Sequence, residues 1–374
     1  MIKFQAYFLG RFNVPSILDE FKREEETYKS DLHPAPYLRI GLVIFTVLLG
    51  IVIYSFIPSG SVKILDGPGG TGPVQVTINP GASLTEIGKV LANAGVVKNY
   101  AEFVSAAEDI PQSSAIGPGK YNLIKSMGAK EAIFALLDPE SKVSIKVVIP
   151  EGSRSSYVFA AAAQALGVSV GDFESLAKDP KDLGLPEYAN NNVEGFLYPA
   201  TYRFDEGITP KQVLQEMIKR FLQAAQEQQL EATAKANGLK PYEVVIIASI
   251  IEKEVAPIDQ PKAAQTILNR LAKPMRLQLD STLNYELNSN TIILTDEQLQ
   301  QDSPYNTYTN DGLPPGPISN PSEAAINAVL NPEEGDWIYW VTVNLDTKET
   351  KFSNNNEQFL KDKQEFLRWY NQNQ

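Results

Sequence analysis

The run Val244-Val-Ile-Ile-Ala-Ser-Ile-Ile-Glu252-Lys253-Glu254-Val255 constrains this chain more than any other segment. Pro241 suits the first turn of a helix, and Pro257 places its stop near residue 255. Between those limits apolar residues fall on every side, which requires a helix enclosed by other elements. Glu252 and Glu254 then occupy its last turn. There the macrodipole disfavours negative charge and apolar neighbours disfavour ionisation, so a carboxyl is pushed toward its protonated form. A carboxylic acid that keeps its proton near neutrality is what glycosidic-bond cleavage needs as its general acid.

Composition removes the competing chemistries. Among 374 residues there is no Cys and one His, His33. Ser-His-Asp and Cys-His catalysis, thiolate metal centres and His-based zinc centres are excluded, and neither metal nor cofactor is expected. The net charge of −12 argues against a general nucleic-acid binder. The length leaves room for two or three domains.

Ile40 to Ile57 carries no charge and is long enough to cross a bilayer as one helix. Lys22, Arg23, Lys29 and Arg39 precede it closely, and only Lys63 follows. That bias predicts a cytoplasmic tail over 1–39, a single pass through the plasma membrane, and the bulk of the chain outside. Residues 58–73, rich in Gly, Pro and Ser, read as a linker.

Beyond it a pattern occurs twice. Val74–Ile78 alternates like a strand, and Ser83 with Glu86 forms a capping-box signature before a helix that ends at Gly95. Ile145–Ile149 repeats the strand, Pro150-Glu-Gly152 the turn, and 153–166 the helix ending at Gly167. Ile149 matches Ile78, Gly152 matches Gly81 and Val158 matches Ile87. These units are expected to form a small non-catalytic α+β module or pair of modules over 74–170, with a mixed α/β domain over 171–374. In the latter, Thr209 and Gln212 cap a long amphipathic helix closed by Gly238. A further helix over 263–271, a hairpin over 337–353 and a terminal helix over 358–370 follow.

Polar segments cluster after the Glu252 helix: Asn269-Arg270, Gln278 to Thr282, Tyr285, and Ser303-Pro-Tyr305-Asn306-Thr307-Tyr308 leading into Gly312-Leu-Pro-Pro-Gly-Pro317-Ile318. Aromatics alternating with amides and hydroxyls suit a sugar, whose ring faces pack on the former and whose hydroxyls bond the latter. A rigid Pro-rich connection with core tyrosines fits the same pattern.

With Glu194-Gly195-x-Leu197-x-Pro199-x-Thr201-Tyr202, Ala248-Ser249-x-x-Glu252-Lys253-Glu254 and the segments above, the sequence resembles the YceG-like endolytic murein transglycosylases. The resemblance covers roughly 74–370. It implies a membrane anchor, a LysM-like module and then a catalytic domain that cuts peptidoglycan strands internally. The bond after N-acetylmuramic acid is broken without water, leaving a 1,6-anhydro end and terminating strand growth. One Glu acts first as acid and then as base, and its motif position is Glu252. Substrate contacts are implied at Glu194, Thr201, Tyr202, Arg270, Gln278, Asp280, Tyr285, Ser303, Tyr305, Asn306, Thr307 and Tyr308, and a working link to peptidoglycan synthases is implied too. Glu254, two residues on, points about 200° around the helix and reads as a partner for a cation such as Arg270. Ala200 and Ser281 stand where the family often has Asp and Pro; Thr350 and Gln358 stand where it often has histidines. A glycan-gripping scaffold that no longer cuts is the binding alternative. Among enzymes, a hydrolase with a second carboxylate and a pyridoxal-phosphate lyase on Lys253 are the others, the latter opposed by the membrane span and the missing phosphate loop.

Overall fold

The computed structural model describes residues 72–373. The expected tail, the segment Ile40–Ile57 and most of the linker lie outside the described residues. Among the described residues no helix is long and apolar enough to cross a membrane.

The described chain is α+β, with three two-stranded antiparallel sheets among many helices. The first core is local. β1 (Pro73–Ile78) leads through the Gly81 turn to α1 (Leu84–Asn93) and α2 (Tyr100–Glu108), and β2 (Gly119–Ile124) returns before α3 (Ala129–Leu137). Ser83 and Glu86 form the expected capping box. β1 pairs with β2, Val76 opposite Tyr121. Val76, Ile78, Ile87, Leu91, Phe103, Leu123 and Ile133 fill this core.

The second unit enters a different core. β3 (Ile145–Val148) is followed by α4 (Ser155–Leu166) and α5 (Val170–Lys178), but its strand pairs with the distant β4 (Thr201–Phe204), Val147 opposite Tyr202. Val147, Val158 and Phe173 pack with Leu197, Tyr202, Leu214 and Ile218. The segment around 200 supplies that partner strand.

The long helix expected between Thr209 and Gly238 is two helices. α6 (Pro210–Glu227) carries the capping box and proline start read from sequence. Gln229 then turns left-handed, φ +51°, before α7 (Leu230–Ala236). The break lets Leu214 and Ile218 serve the second core while Leu230 and Ala234 serve a third.

That third core surrounds α8 (Pro241–Glu254), in which every residue from Val244 to Ile251 is buried. α9 (Gln260–Ala272) packs on it, followed by the short α10 (Asp280–Glu286) and α11 (Asp296–Leu299). α12 (Glu323–Leu330) also lies on α8, with Ile326 and Val329 wholly buried. β5 (Tyr339–Asn344) and β6 (Glu349–Ser353) form the expected hairpin, on which α13 (Asn356–Gln372) packs.

Candidate active site

The apolar sides of α8 bury the helix from Val244 to Ile251, and beyond that stretch its last turn brings polar side chains partly into the open. Glu252 and Glu254 leave it in different directions, as the helix period requires.

Glu252 meets α12 end-on. Ser322 is the N-cap of α12, and its Oγ accepts from Ala325 N at 3.1 Å. The same residue donates to Glu252 Oε2 from its backbone N–H at 3.1 Å and from its hydroxyl at 2.5 Å. Gln260 Nε2, at the start of α9, is 3.5 Å from that oxygen. All three contacts go to Oε2; among the described residues none donates to Oε1. One carboxyl oxygen is thus anchored and the other left for a reacting group.

The remaining wall comes from the turn of the second strand–turn–helix unit. Gly152, at φ +68°, lies so close that a Cβ there would stand 3.2 Å from Glu252 Cγ. Lys253 Nζ donates to Gly152 O at 3.3 Å.

Asn320 ties these parts together. Its backbone exchanges bonds with Gly152 and Ser153, at 2.9 and 2.8 Å. Its Oδ1 accepts from Gly195 N and Leu197 N, and its Nδ2 donates to Ser153 O and to Glu194 Oε1. Glu194 is itself buried and accepts from Ser155 N, Asn320 Nδ2 and Tyr285 OH at 3.0–3.2 Å. Burial raises the Glu194 carboxyl to about 7, against the pull of Ser155, Tyr285 and Arg154. Arg154 lies over the Tyr285 ring at 5.4 Å, and Tyr305 tilts against the same ring at 5.0 Å. Burial pushes the Tyr305 phenol up to about 12.

Glu254 faces the opposite side and accepts from Ser281 N at 3.3 Å. Burial raises its carboxyl, the Ser281 contacts lower it, and Asp280 raises it further. Burial likewise raises Asp280, whose Oδ1 accepts from Tyr308 OH. Arg270 is not a direct ion-pair partner of Glu254. Its Nε donates to Ile338 O at 2.5 Å, another donor goes to Leu277 O, and the guanidinium lies 5.5 Å from both the Tyr339 and Trp340 rings. Burial depresses its pKa, while Tyr339 and Glu254 support its charge.

The other sequence-predicted residues divide. Gln278 is exposed in a left-handed conformation, φ +48°, with its N–H on Thr307 O. A non-glycine residue held there is a strained position of the kind that gathers at functional sites. Ser303, Asn306 and Thr307 are buried, and their polar groups bond within the loop or to the neighbouring backbone: Ser303 Oγ to Tyr305 N, Asn306 Nδ2 to Gln301 O, Thr307 Oγ1 to Leu279 N. For these three the rigid-connection reading describes the geometry, because a buried polar group must find its partner locally. Tyr202 is a core residue whose hydroxyl donates to Tyr198 O, and Thr201 is exposed on β4 opposite Val148.

Sequence reasoning missed Asn320, Ser322, Gln260 and Arg154. Ser322 followed by the apolar run Ala324-Ala-Ile is an N-cap signal that was there to be read. Nothing local marks Asn320, whose partners come from residues far away in the chain.

A model of the YceG-like family matches residues 76–365. An endolytic murein transglycosylase of Bacillus subtilis (strain 168) is 28% identical over 285 residues, 72% of this chain and 78% of that protein. The endolytic murein transglycosylase of Streptococcus pneumoniae serotype 2 (strain D39) is 32% identical over 328 residues, covering 76% of this chain. The match takes in 56% of that protein, so the chain spans about half the streptococcal relative's length. A crystal structure of a YceG-like protein from Listeria monocytogenes superposes with a TM-score of 0.54 at 27% identity, over 77% of this chain and 98% of that one. The family match runs from β1 across both glycine turns, the Glu252 helix and the Asn320 segment to α13, and this chain therefore belongs to the YceG-like family.

Proposed function

We propose that this chain is a membrane-anchored lytic transglycosylase that cuts peptidoglycan strands internally at the MurNAc-β-1,4-GlcNAc bond. The observation that carries the reading is the unequal treatment of the Glu252 oxygens, Oε2 held by Ser322 and Oε1 without a hydrogen bond among the described residues. In the proposed reaction Glu252 gives its proton to the departing GlcNAc O4 as the C1–O4 bond breaks. The resulting carboxylate takes the proton of the muramyl C6 hydroxyl while O6 bonds C1. The 1,6-anhydro end forms and the acid is regenerated, so no second carboxylate and no water are consumed. The names of the Bacillus and streptococcal relatives support the substrate class.

Within this reading Gln278, Tyr285 and Tyr305 are proposed as substrate contacts, a role supported by the left-handed backbone at Gln278 and the paired tyrosine rings. Glu194, Arg270, Asp280, Ser303, Asn306, Thr307 and Tyr308 hold the walls. Ile40–Ile57 is the proposed anchor, with residues 1–39 cytoplasmic. The LysM-like module is proposed to end within 138–144 rather than at 170, supported by the core that β3 and α4 share with β4 and α6. A link to peptidoglycan synthases rests on the resemblance alone.

Mass spectrometry of glycan products from uncrosslinked strands tests the proposal. Anhydro-muramyl ends are expected from the wild type and not from Glu252→Gln. Reducing ends in their place would make the protein a hydrolase, and cutting retained in Glu252→Gln would move the role away from Glu252.

A further inference from the structure

Gln260 begins α9, is 1% exposed, and lies with its amide against the anchored oxygen of Glu252. Its Nε2 is at the long limit of a hydrogen bond, 3.5 Å from Glu252 Oε2, and its own Oε1 is buried without a partner. A buried amide carbonyl left unpaired is uncommon and calls for a reason. Its orientation supplies one: the amide turns its N–H to Glu252 Oε2, which leaves its carbonyl turned away. A carboxyl that reacts through one oxygen needs the other held by uncharged donors in both of its protonation states. Lysine would serve only the carboxylate, and a second carboxylate would oppose it.

We infer that Gln260 is a positioning residue for the reaction proposed above, its Nε2 donating to Glu252 Oε2 beside Ser322 so that the proton given and taken stays on Oε1. The inference rests on the acid–base role given there to Glu252. The packed elements bring other charges to this place. Lys253 shares the helix and is tied to Gly152 O, and Glu151 sits in the turn beside it. Glu323 opens α12 and accepts from Tyr198 OH. Asp259 precedes Gln260 and feels Lys262, which pairs with Glu333 at 3.7 Å. None of these bonds the Glu252 carboxyl among the described residues, so the Ser322 donors and the Gln260 amide are its direct partners.

The test uses the full chain in detergent with ¹³C-labelled glutamate, the Glu252 carboxyl resonance being identified by its loss in Glu252→Gln. In Gln260→Glu the Glu252 titration midpoint is expected to rise by about one pH unit or more, through like-charge repulsion. The alkaline limb of the strand-cutting profile moves with it. In Gln260→Leu, similar in size but without donor or acceptor, kcat is expected to fall about tenfold with KM little changed, as for a group acting only on the chemical step. Wild-type kcat in Gln260→Leu, or an unmoved midpoint in Gln260→Glu, overturns the inference. A wild type that cuts no strand defeats the proposed function instead, while the midpoint, read without substrate, still decides whether Gln260 governs the Glu252 proton.

Discussion

Gly81 and Gly152 hold equivalent places in the two strand–turn–helix units, with φ of +78° and +68°. A side chain at Gly81 would meet open space, whereas one at Gly152 would press on Glu252 and Lys253. The matched apolar positions also behave alike: Ile78 and Ile149 are each 3% exposed, and Ile87 and Val158 are buried behind them. What separates the units is the strand that pairs with each. β1 takes the nearby β2 and closes a core of its own, while β3 takes β4 and carries its turn onto the Glu252 helix. One local pattern therefore yields a self-contained module in one place and a wall of the candidate active site in the other.

The sharpest way to break this comparison is alanine at the two glycines. Gly152→Ala is expected to press the Glu252 side chain aside by a few tenths of an ångström, on top of left-handed backbone strain, and to lower strand cutting on the order of tenfold. Gly81→Ala carries only the left-handed strain of roughly 1–2 kcal/mol. Its effect should be confined to faster amide exchange over 84–136. Equal losses of activity from both would show that the second turn has no special place.

Glu194 gives the next effect, and it exists only on the second unit's side. Burial raises its carboxyl from 4.5 to about 7, so the folded chain holds this proton more tightly than the unfolded chain. The resulting stability is complete below 4.5 and is lost as pH rises through about 7. The full swing is at most about 3 kcal/mol. Urea unfolding between those pH values should show the slope in the wild type and a flatter one in Glu194→Gln.

Core truncation sharpens the comparison further. Ile87→Ala and Val158→Ala should each cost roughly 2–4 kcal/mol. Only Val158→Ala should also reduce cutting, because α4 starts at Ser155, which bonds Glu194. The smallest effect belongs to the seam between the units. Lys120 with Glu206 and Lys142 with Asp205 cross it as partly exposed ion pairs, at 2.5 and 2.8 Å. Lys142→Ala should change stability by less than about 1 kcal/mol and fade further with salt.

Much of the local structure was legible in the sequence because its causes are local. The capping boxes at Ser83 and Thr209, the turns at Gly81 and Gly152, the buried α8 and the C-terminal hairpin all follow from residues within a few positions of each other. The divergence of Glu252 and Glu254 is likewise fixed by the helix period. The pairing of β4 escaped because its partner lies more than 50 residues earlier, and the break at Gln229 escaped because it serves two cores that no periodicity announces.

By itself the sequence determined that a fully apolar helix ends in two carboxylates, and that a strand–turn–helix pattern stands on each side of a common plan. Tertiary structure alone decided that Ser322 anchors one oxygen of Glu252, that Asn320 joins Gly152 to Glu194, and that Tyr202 and Asn306 turn inward. The reason is physical. Propensity, capping and periodicity act over a few residues, whereas a buried hydrogen bond is set by whichever distant group the folded core brings within reach.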